Sequence, residues 1–111
     1  MVVRWLTFAQ DQLKDVVQYV IENFGEMTAR KSLRKILDDT DSLGKYPTKG
    51  IYDKKFSKNG IEVRHLNTGP NMVYYLIDEH EVVILAVMHY RQSVNTINRA
   101  IRYAIGKYNE E

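Results

Sequence analysis

The segment VVILAVMHYRQ, Val82 to Gln92, decides the fold, because seven consecutive apolar residues lead directly into a histidine, a tyrosine and an arginine. Such a run predicts a strand that is covered on both faces or that lies in the centre of its sheet. Two further β-rich segments precede it, IEVRHLN at 61–67 and MVYYLID at 72–78. The connections are short, TGP and a polar turn near Glu79 and His80, so the three strands predict an antiparallel meander.

Two amphipathic helices are predicted before the meander. MVVRWLTF at the N-terminus predicts a first strand that stops at Thr7, and Thr7 with Gln10 has the spacing of a capping box. Apolar residues then recur at helical spacing in two stretches, with Gly25 as the stop between them. These residues are Leu13, Val16, Val17, Val20, Ile21 and Phe24, then Ala29, Leu33, Ile36, Leu37, Thr40 and Leu43. We expect the two helices to form an antiparallel hairpin.

A third helix is predicted at the C-terminus, and residues 44–59 are predicted to be a loop that ends in the turn signal Asn59-Gly60. The residues that mark the helix are Val94, Ile97, Ile101, Ala104, Ile105 and Tyr108. The element order is then β-α-α-β-β-β-α. This order predicts a single α+β domain over residues 1–111, with a two-helix hairpin packed on a mostly antiparallel, twisted sheet.

The composition excludes several classes of protein. With no Cys, the chain has no disulfide framework, thiolate metal site or Cys nucleophile, which fits the reducing cytoplasm where we expect it to act. No stretch approaches the roughly 20 apolar residues that span a bilayer, so no membrane is expected as a partner. His65 and His80 have neither Cys nor a close pair of carboxylates beside them. We therefore predict no metal and no cofactor.

The positive charge is concentrated in one segment. The net charge is only +2, too small to indicate a nucleic-acid binder by itself. Five of the lysines, however, lie in KYPTKGIYDKKFSK, residues 45–58. Two interpretations remain open for this segment: a solvated loop, or a surface that meets a phosphate backbone.

The order of elements, together with its residues, resembles the RelE/ParE superfamily of bacterial type II toxins, and is closer to the ParE-like branch. Three segments carry the likeness: FAQDQLKDVVQYVIENFGEMTARKSLRKILDDTDSLGKYPTKG, GIEVRHLNTGPNMVYYLID and VVILAVMHYRQ. The resemblance implies a small toxin that arrests growth and is held inactive by a cognate antitoxin. It implies one of two macromolecular targets and no small-molecule substrate. ParE-like members bind and poison DNA gyrase, whereas RelE-like members cut mRNA in the ribosomal A site.

Strand alternation predicts which side chains share a face. In the last strand, one face would carry Val83, Leu85, Val87, His89 and Arg91, and the other Val82, Ile84, Ala86, Met88 and Tyr90. On the fold that the resemblance implies, helices cover the second set and the first lines an open face. That face would also receive Glu62, Arg64, Asn71, Val73 and Tyr75.

A nuclease of this family needs a base, several cations and an acid. The candidates for such chemistry are Arg64, His89 and Arg91. By the resemblance, Glu62, Asn71 and Ile97 stand where cations or a tyrosine are expected, and no acid is evident. The chain therefore favours a gyrase-binding toxin whose target-binding residues are Arg64, Tyr75, His89 and Arg91, with the mRNA interferase as the alternative.

Structural roles are weighed against these functional ones. His89 at a strand end is also explained as a hydrogen-bonded structural residue, and Arg64 as a partner of Glu62 or Asp78 in a salt bridge. For the antitoxin, the resemblance and the amphipathic C-terminus indicate a docking site on the apolar surface of the helical hairpin and on what the final helix shields. The antitoxin would add there as a helix in a groove or as an extra strand.

Overall fold

The computed structural model describes residues 1–110 and contains three α-helices and a mixed sheet of five strands. The helices are α1 (Thr7–Phe24), α2 (Glu26–Asp41) and α3 (Val94–Glu110). The strands are β1 (Val2–Trp5), β2 (Ile51–Tyr52), β3 (Glu62–Thr68), β4 (Asn71–Asp78) and β5 (Glu81–His89). The α+β class and the predicted order of the long elements are confirmed. The predicted single domain extends to Glu111, which lies outside the described residues.

The sheet has the order β1-β5-β4-β3-β2. Strands β3, β4 and β5 form the predicted antiparallel meander, and β1 pairs with β5 in parallel, so that β5 is an inner strand with a neighbour on each side. The loop predicted over residues 44–59 is only partly a loop. A 3-10 turn at Ser42–Gly44 ends where this segment begins, and a second lies within it at Pro47–Lys49. Its residues Ile51 and Tyr52 pair with His65 and Arg64 to form β2.

Helices cover both faces of the sheet. On one face, the hairpin-side core brings Ala9 of α1 and Ile36 of α2 against the sheet. On the other, Ile97, Ile101 and Ala104 of α3 pack in the α3-side core. The prediction of an open sheet face was therefore wrong, because the amphipathic α3 buries its apolar stripe against Val83 and Leu85. Val73 and Tyr75, which were predicted on that same face, lie instead in the hairpin-side core.

A bulge in β5 changes which residues share a face. Tyr75 pairs with Ile84 and Tyr74 pairs with Ala86, so Leu85 is the extra residue. As a result Leu85 and Ala86, although adjacent in sequence, both lie in the α3-side core. The predicted alternation is correct within each half of the strand and wrong across its middle. The members of the α3-side core from β5 are Val83, Leu85, Ala86 and Met88, and those of the hairpin-side core are Val82, Ile84 and Val87.

The boundary between α1 and α2 lies at the predicted glycine, but the predicted capping box is not formed at the start of α1. Gly25, at φ 89°, ends α1 and precedes α2, as predicted. At the other end of α1, Thr7 is already helical and Leu6 is the N-cap, without a side-chain hydrogen bond to the helix. The Gln10 amide instead lies 3.5 Å from the Trp5 carbonyl. Across residues 1–110, none of the helices is long and apolar enough to cross a membrane.

Candidate functional site

Arg64 on β3 is hydrogen-bonded to the segment that precedes β2. Its guanidinium donates to the carboxylate of Glu62 and to the carbonyl oxygens of Thr48 and Gly50, at 3.2 and 2.8 Å. The same group lies 5.6 Å from the ring centroid of Tyr52. Of the two salt-bridge partners predicted for Arg64, the one observed is Glu62, two residues away on the same strand. These contacts give the Arg64 guanidinium a structural role, and 19% of the side chain remains exposed.

Tyr75 on β4 holds the same segment from inside the protein. Its hydroxyl donates to the Pro47 carbonyl at 2.7 Å and accepts the Gly50 N–H at 2.9 Å. The ring is fully buried, and this burial raises the pKa of Tyr75 although the hydrogen bond from Gly50 acts in the opposite direction. A direct contact between Tyr75 and a target does not fit this burial. The residue instead positions the backbone between Pro47 and Gly50.

His89, Tyr90 and Arg91 form one ordered unit at the end of β5. The N–H of Arg91 donates to Nδ1 of His89 at 3.0 Å, and the rings of His89 and Tyr90 stack with centroids 4.9 Å apart. The Arg91 Nε donates to the Tyr90 hydroxyl at 3.0 Å. Tyr90 was predicted to point away from His89 if the strand stayed regular, but the strand ends at His89 and the two rings meet where the chain turns.

The tautomer of His89 follows from this contact. In a neutral imidazole one nitrogen accepts a hydrogen bond and the other carries the proton. Because Nδ1 accepts the Arg91 N–H, the proton lies on Nε2. Nδ1 is therefore occupied as an acceptor and Nε2 is a donor, whereas a general base needs an unprotonated nitrogen that is available to its substrate.

The structure does not bring the predicted candidates to one centre. Arg64 pairs with Tyr75, while His89 pairs with Asn71, four residues earlier on β4. This spacing separates Arg64 from His89 by about 13 Å along the strands and about 10 Å across two strand intervals. Asn71 is 5% exposed and Ile97 packs in the α3-side core, so neither supplies chemistry at the surface.

Two contacts of functional interest were not predicted from sequence. Gln12 of α1 accepts the N–H of Val87 beside the bulge at 2.8 Å, which ties the helical hairpin to β5. Tyr108 of α3 donates to the carboxylate of Asp78, and this hydrogen bond, followed by burial, raises the pKa of Tyr108 to about 12. In sequence, Tyr108 showed only as one member of an apolar stripe. Its partner lies 30 residues away, so periodicity alone could not find it.

Two shallow grooves run along the helical hairpin. The groove between α1 and α2 has a volume of about 210 Å³, and the groove on the outer side of α2 has about 390 Å³. Leu33 lines both grooves, and the charged residues beside it include Arg30. At the tip of the hairpin, Phe24 and Met27 are 64% and 73% exposed. In the part of the chain that the structure describes, no three His, Cys, Asp or Glu residues form a group able to hold a metal ion.

Comparison with known proteins gives one family and one fold. The sequence model of one protein family, the ParE toxin of type II toxin-antitoxin systems (parDE), matches residues 3–94. The matched region ends where α3 begins. Among solved structures, the chain is similar to the chromosomal ParDE TA system from P. aeruginosa, with a TM-score of 0.66 and 20% sequence identity. The match covers 80% of this chain and 95% of that chain. No curated protein matches the chain.

Proposed function

Because the chain belongs to the ParE toxin family of type II toxin-antitoxin systems, we propose that it arrests growth by binding DNA gyrase and that a cognate antitoxin holds it inactive. The proposal treats residues 1–111 as one toxin domain that acts in the cytoplasm. It assigns the chain a binding role and no catalytic step.

The observation that supports binding over RNA cleavage is the hydrogen bond that Nδ1 of His89 accepts from the Arg91 N–H. A ribonuclease on this scaffold would need an imidazole ready to take a proton, and each such general base contributes about 10²-fold or more to the rate. Here Nδ1 is occupied by the Arg91 N–H. Of the two arginines in the candidate set, Arg64 is held by Glu62 and two carbonyl oxygens, whereas Arg91 is exposed and uses only its Nε to donate to the Tyr90 hydroxyl.

The proposed target-binding residues divide into two groups. His89 and Arg91 stand at the exposed end of β5 beside Tyr90, which is 52% exposed, and they contact the target directly. Arg64 and the buried Tyr75 act indirectly, since they fix the shape of the segment between Pro47 and Tyr52. Direct recognition therefore centres on the turn that follows β5.

The antitoxin is proposed to dock on the helical hairpin. Leu33 and Leu37 line the groove on α2 together with Arg30 and Arg34, and Asp38 and Asp41 line it as well. An amphipathic helix with an apolar stripe and acidic flanks would bury the leucines and pair with the arginines. We expect the antitoxin to be encoded beside the toxin, as a short reading frame with such an acidic pattern.

Induced expression tests the target. Plasmid supercoiling and DNA breaks should be followed after induction, alongside cleavage of ribosome-bound mRNA. We expect relaxed plasmid and broken DNA with intact mRNA, and a weaker effect from Arg91→Ala than from the control Arg102→Ala, which removes an exposed arginine on α3. Codon-specific mRNA cuts that vanish in His89→Ala or Arg91→Ala, with supercoiling unchanged, would establish the mRNA interferase instead.

A further inference from the structure

The segment 45–58 gives the protein an uneven distribution of charge. It contains five lysines and one aspartate, a net charge of +4. The other 11 basic and 13 acidic residues of the chain leave −2. The small overall charge therefore conceals a strongly basic segment in a chain whose other residues carry a net negative charge. The lysines are Lys45, Lys49, Lys54, Lys55 and Lys58, and all five are exposed.

The acidic residue of the segment does not neutralise its lysines. The Asp53 carboxylate accepts the backbone N–H groups of Lys55 and Phe56, at 2.9 and 3.3 Å. Within residues 1–110, none of the five lysines forms an ion pair; Lys49 donates to the hydroxyl of Ser42 at 3.1 Å. The charge of Lys49 also helps to lower the pKa of Asp39, so the charge available to a partner is chiefly that of the other four lysines.

The segment is held in one shape by buried groups, unlike a solvated loop. The Tyr75 hydroxyl and the Arg64 guanidinium fix its first half through Pro47, Thr48 and Gly50. In the second half, Phe56 is 7% exposed in the α3-side core.

The Ser57 hydroxyl completes the anchoring of the second half. It donates to the Asp53 carbonyl and accepts the Val63 N–H at 2.9 Å. A surface that is already ordered loses less entropy when it binds than a mobile chain of the same charge. The lysines are thus displayed on a rigid frame.

Two tyrosines stand among the lysines. Tyr46 and Tyr52 are 56% and 51% exposed, and the ammonium of Lys45 lies 5.6 Å from the ring centroid of Tyr46. Lysine ammonium groups and tyrosine hydroxyls both donate hydrogen bonds to phosphate oxygens in protein–DNA complexes. Both kinds of side chain in this segment can therefore donate to phosphate oxygens.

We propose that the surface of residues 45–58 binds the phosphate backbone of duplex DNA. The inference rests on the proposed function, because gyrase holds duplex DNA and would present it to a bound toxin. The contact is independent of sequence, since lysines that meet phosphates position a protein and do not read bases. This contact gives the toxin a higher affinity for the complex of gyrase with DNA than for gyrase alone.

The test measures binding of the purified chain to a fluorescent 20-bp duplex, without gyrase, by anisotropy over a range of salt concentrations. The variant Lys54→Gln/Lys55→Gln/Lys58→Gln is compared with Lys14→Gln/Lys31→Gln/Arg102→Gln, which removes the same charge from exposed positions on the helices. The first variant should lose about tenfold or more in affinity, and its log–log salt slope should be shallower by about 3, because each phosphate contact contributes about 0.9. The control should stay close to the unmodified chain.

Several results would overturn the inference. These are no binding of the duplex by the unmodified chain at 50 mM salt, an equal loss in both variants, or tighter binding of a 20-nucleotide single-stranded RNA than of the duplex. Supercoiling by gyrase, measured in parallel, separates the two proposals. Lysine-dependent duplex binding with normal supercoiling would contradict the gyrase proposal alone, whereas equal gyrase inhibition by both variants would contradict the lysine surface alone.

Discussion

The hydroxyl of Tyr75 accepts a hydrogen bond from the backbone N–H of Gly50 at 2.9 Å, inside the protein and across 25 residues of chain. Together with the bond that Tyr75 donates to Pro47, it satisfies backbone groups of a segment that has little regular structure of its own. A buried N–H or C=O without a partner is costly. The irregular segment before β2 is therefore stabilised by one side chain from β4.

Tyr75→Phe should destabilise the fold by about 1–3 kcal/mol, because it leaves the buried Gly50 N–H without an acceptor. Urea unfolding followed by circular dichroism measures the free energy of unfolding. The control Tyr19→Phe alters a ring that is 58% exposed and should change stability by less than about 0.5 kcal/mol. Equal effects of the two substitutions would refute this role of Tyr75.

Gly50→Ala should destabilise the protein by about 1–3 kcal/mol through a steric clash. A Cβ at this position would lie 2.5 Å from the Tyr75 hydroxyl oxygen and 2.7 Å from the His65 carbonyl oxygen. Gly106→Ala is the matched control, because its Cβ would meet no atom within 4 Å. Within α3 this control should stabilise the protein by up to about 1 kcal/mol, since alanine favours a helix more than glycine does. Thermal melts of the two variants should thus shift in opposite directions.

His89→Asn should retain growth inhibition to within a few-fold, because its side-chain oxygen can still accept the Arg91 N–H. His89→Leu removes the acceptor and should weaken inhibition more. Growth after induction and gyrase supercoiling in vitro measure both variants. A catalytic base would behave differently: both substitutions would then cost about 10²-fold or more.

Tyr108→Phe should lower stability at pH 8 by about 1 kcal/mol, a value reduced to allow for solvent screening of this partly exposed pair. The pKa of Tyr108 is raised from 10.0 to about 12 in the folded protein, chiefly by its hydrogen bond to Asp78. A raised pKa gives stability that is complete below pH 10 and is lost as the pH rises through 12. The difference between wild type and variant should therefore fade over that window. A difference that stays constant from pH 8 to pH 12 would exclude the linkage.

Local periodicity was sufficient for the long elements. The segments that became β3, β4 and β5 have a period of two, and the segments on either side of Gly25 have helical spacing. Both patterns reflect which side chains are buried, and each can be identified within one stretch of sequence. The ion pair between Arg64 and Glu62 was also within reach, because both residues lie on one strand. The likeness to the toxin superfamily rested on the same local segments.

Tertiary structure decided the relationships between distant segments. The bulge at Leu85 moves Val87 and His89 to the face opposite the one that Leu85 occupies, and the strand's own sequence does not mark it. Similarly, Tyr75 was predicted at a target-binding face, but it became a buried anchor because the backbone of Pro47 and Gly50 folds over it. Sequence determined which residues are apolar and how they repeat. The hydrogen-bond partners of a hydroxyl or a guanidinium depend on strand register and on segments that are distant in sequence. Both are fixed only when the whole sheet has assembled.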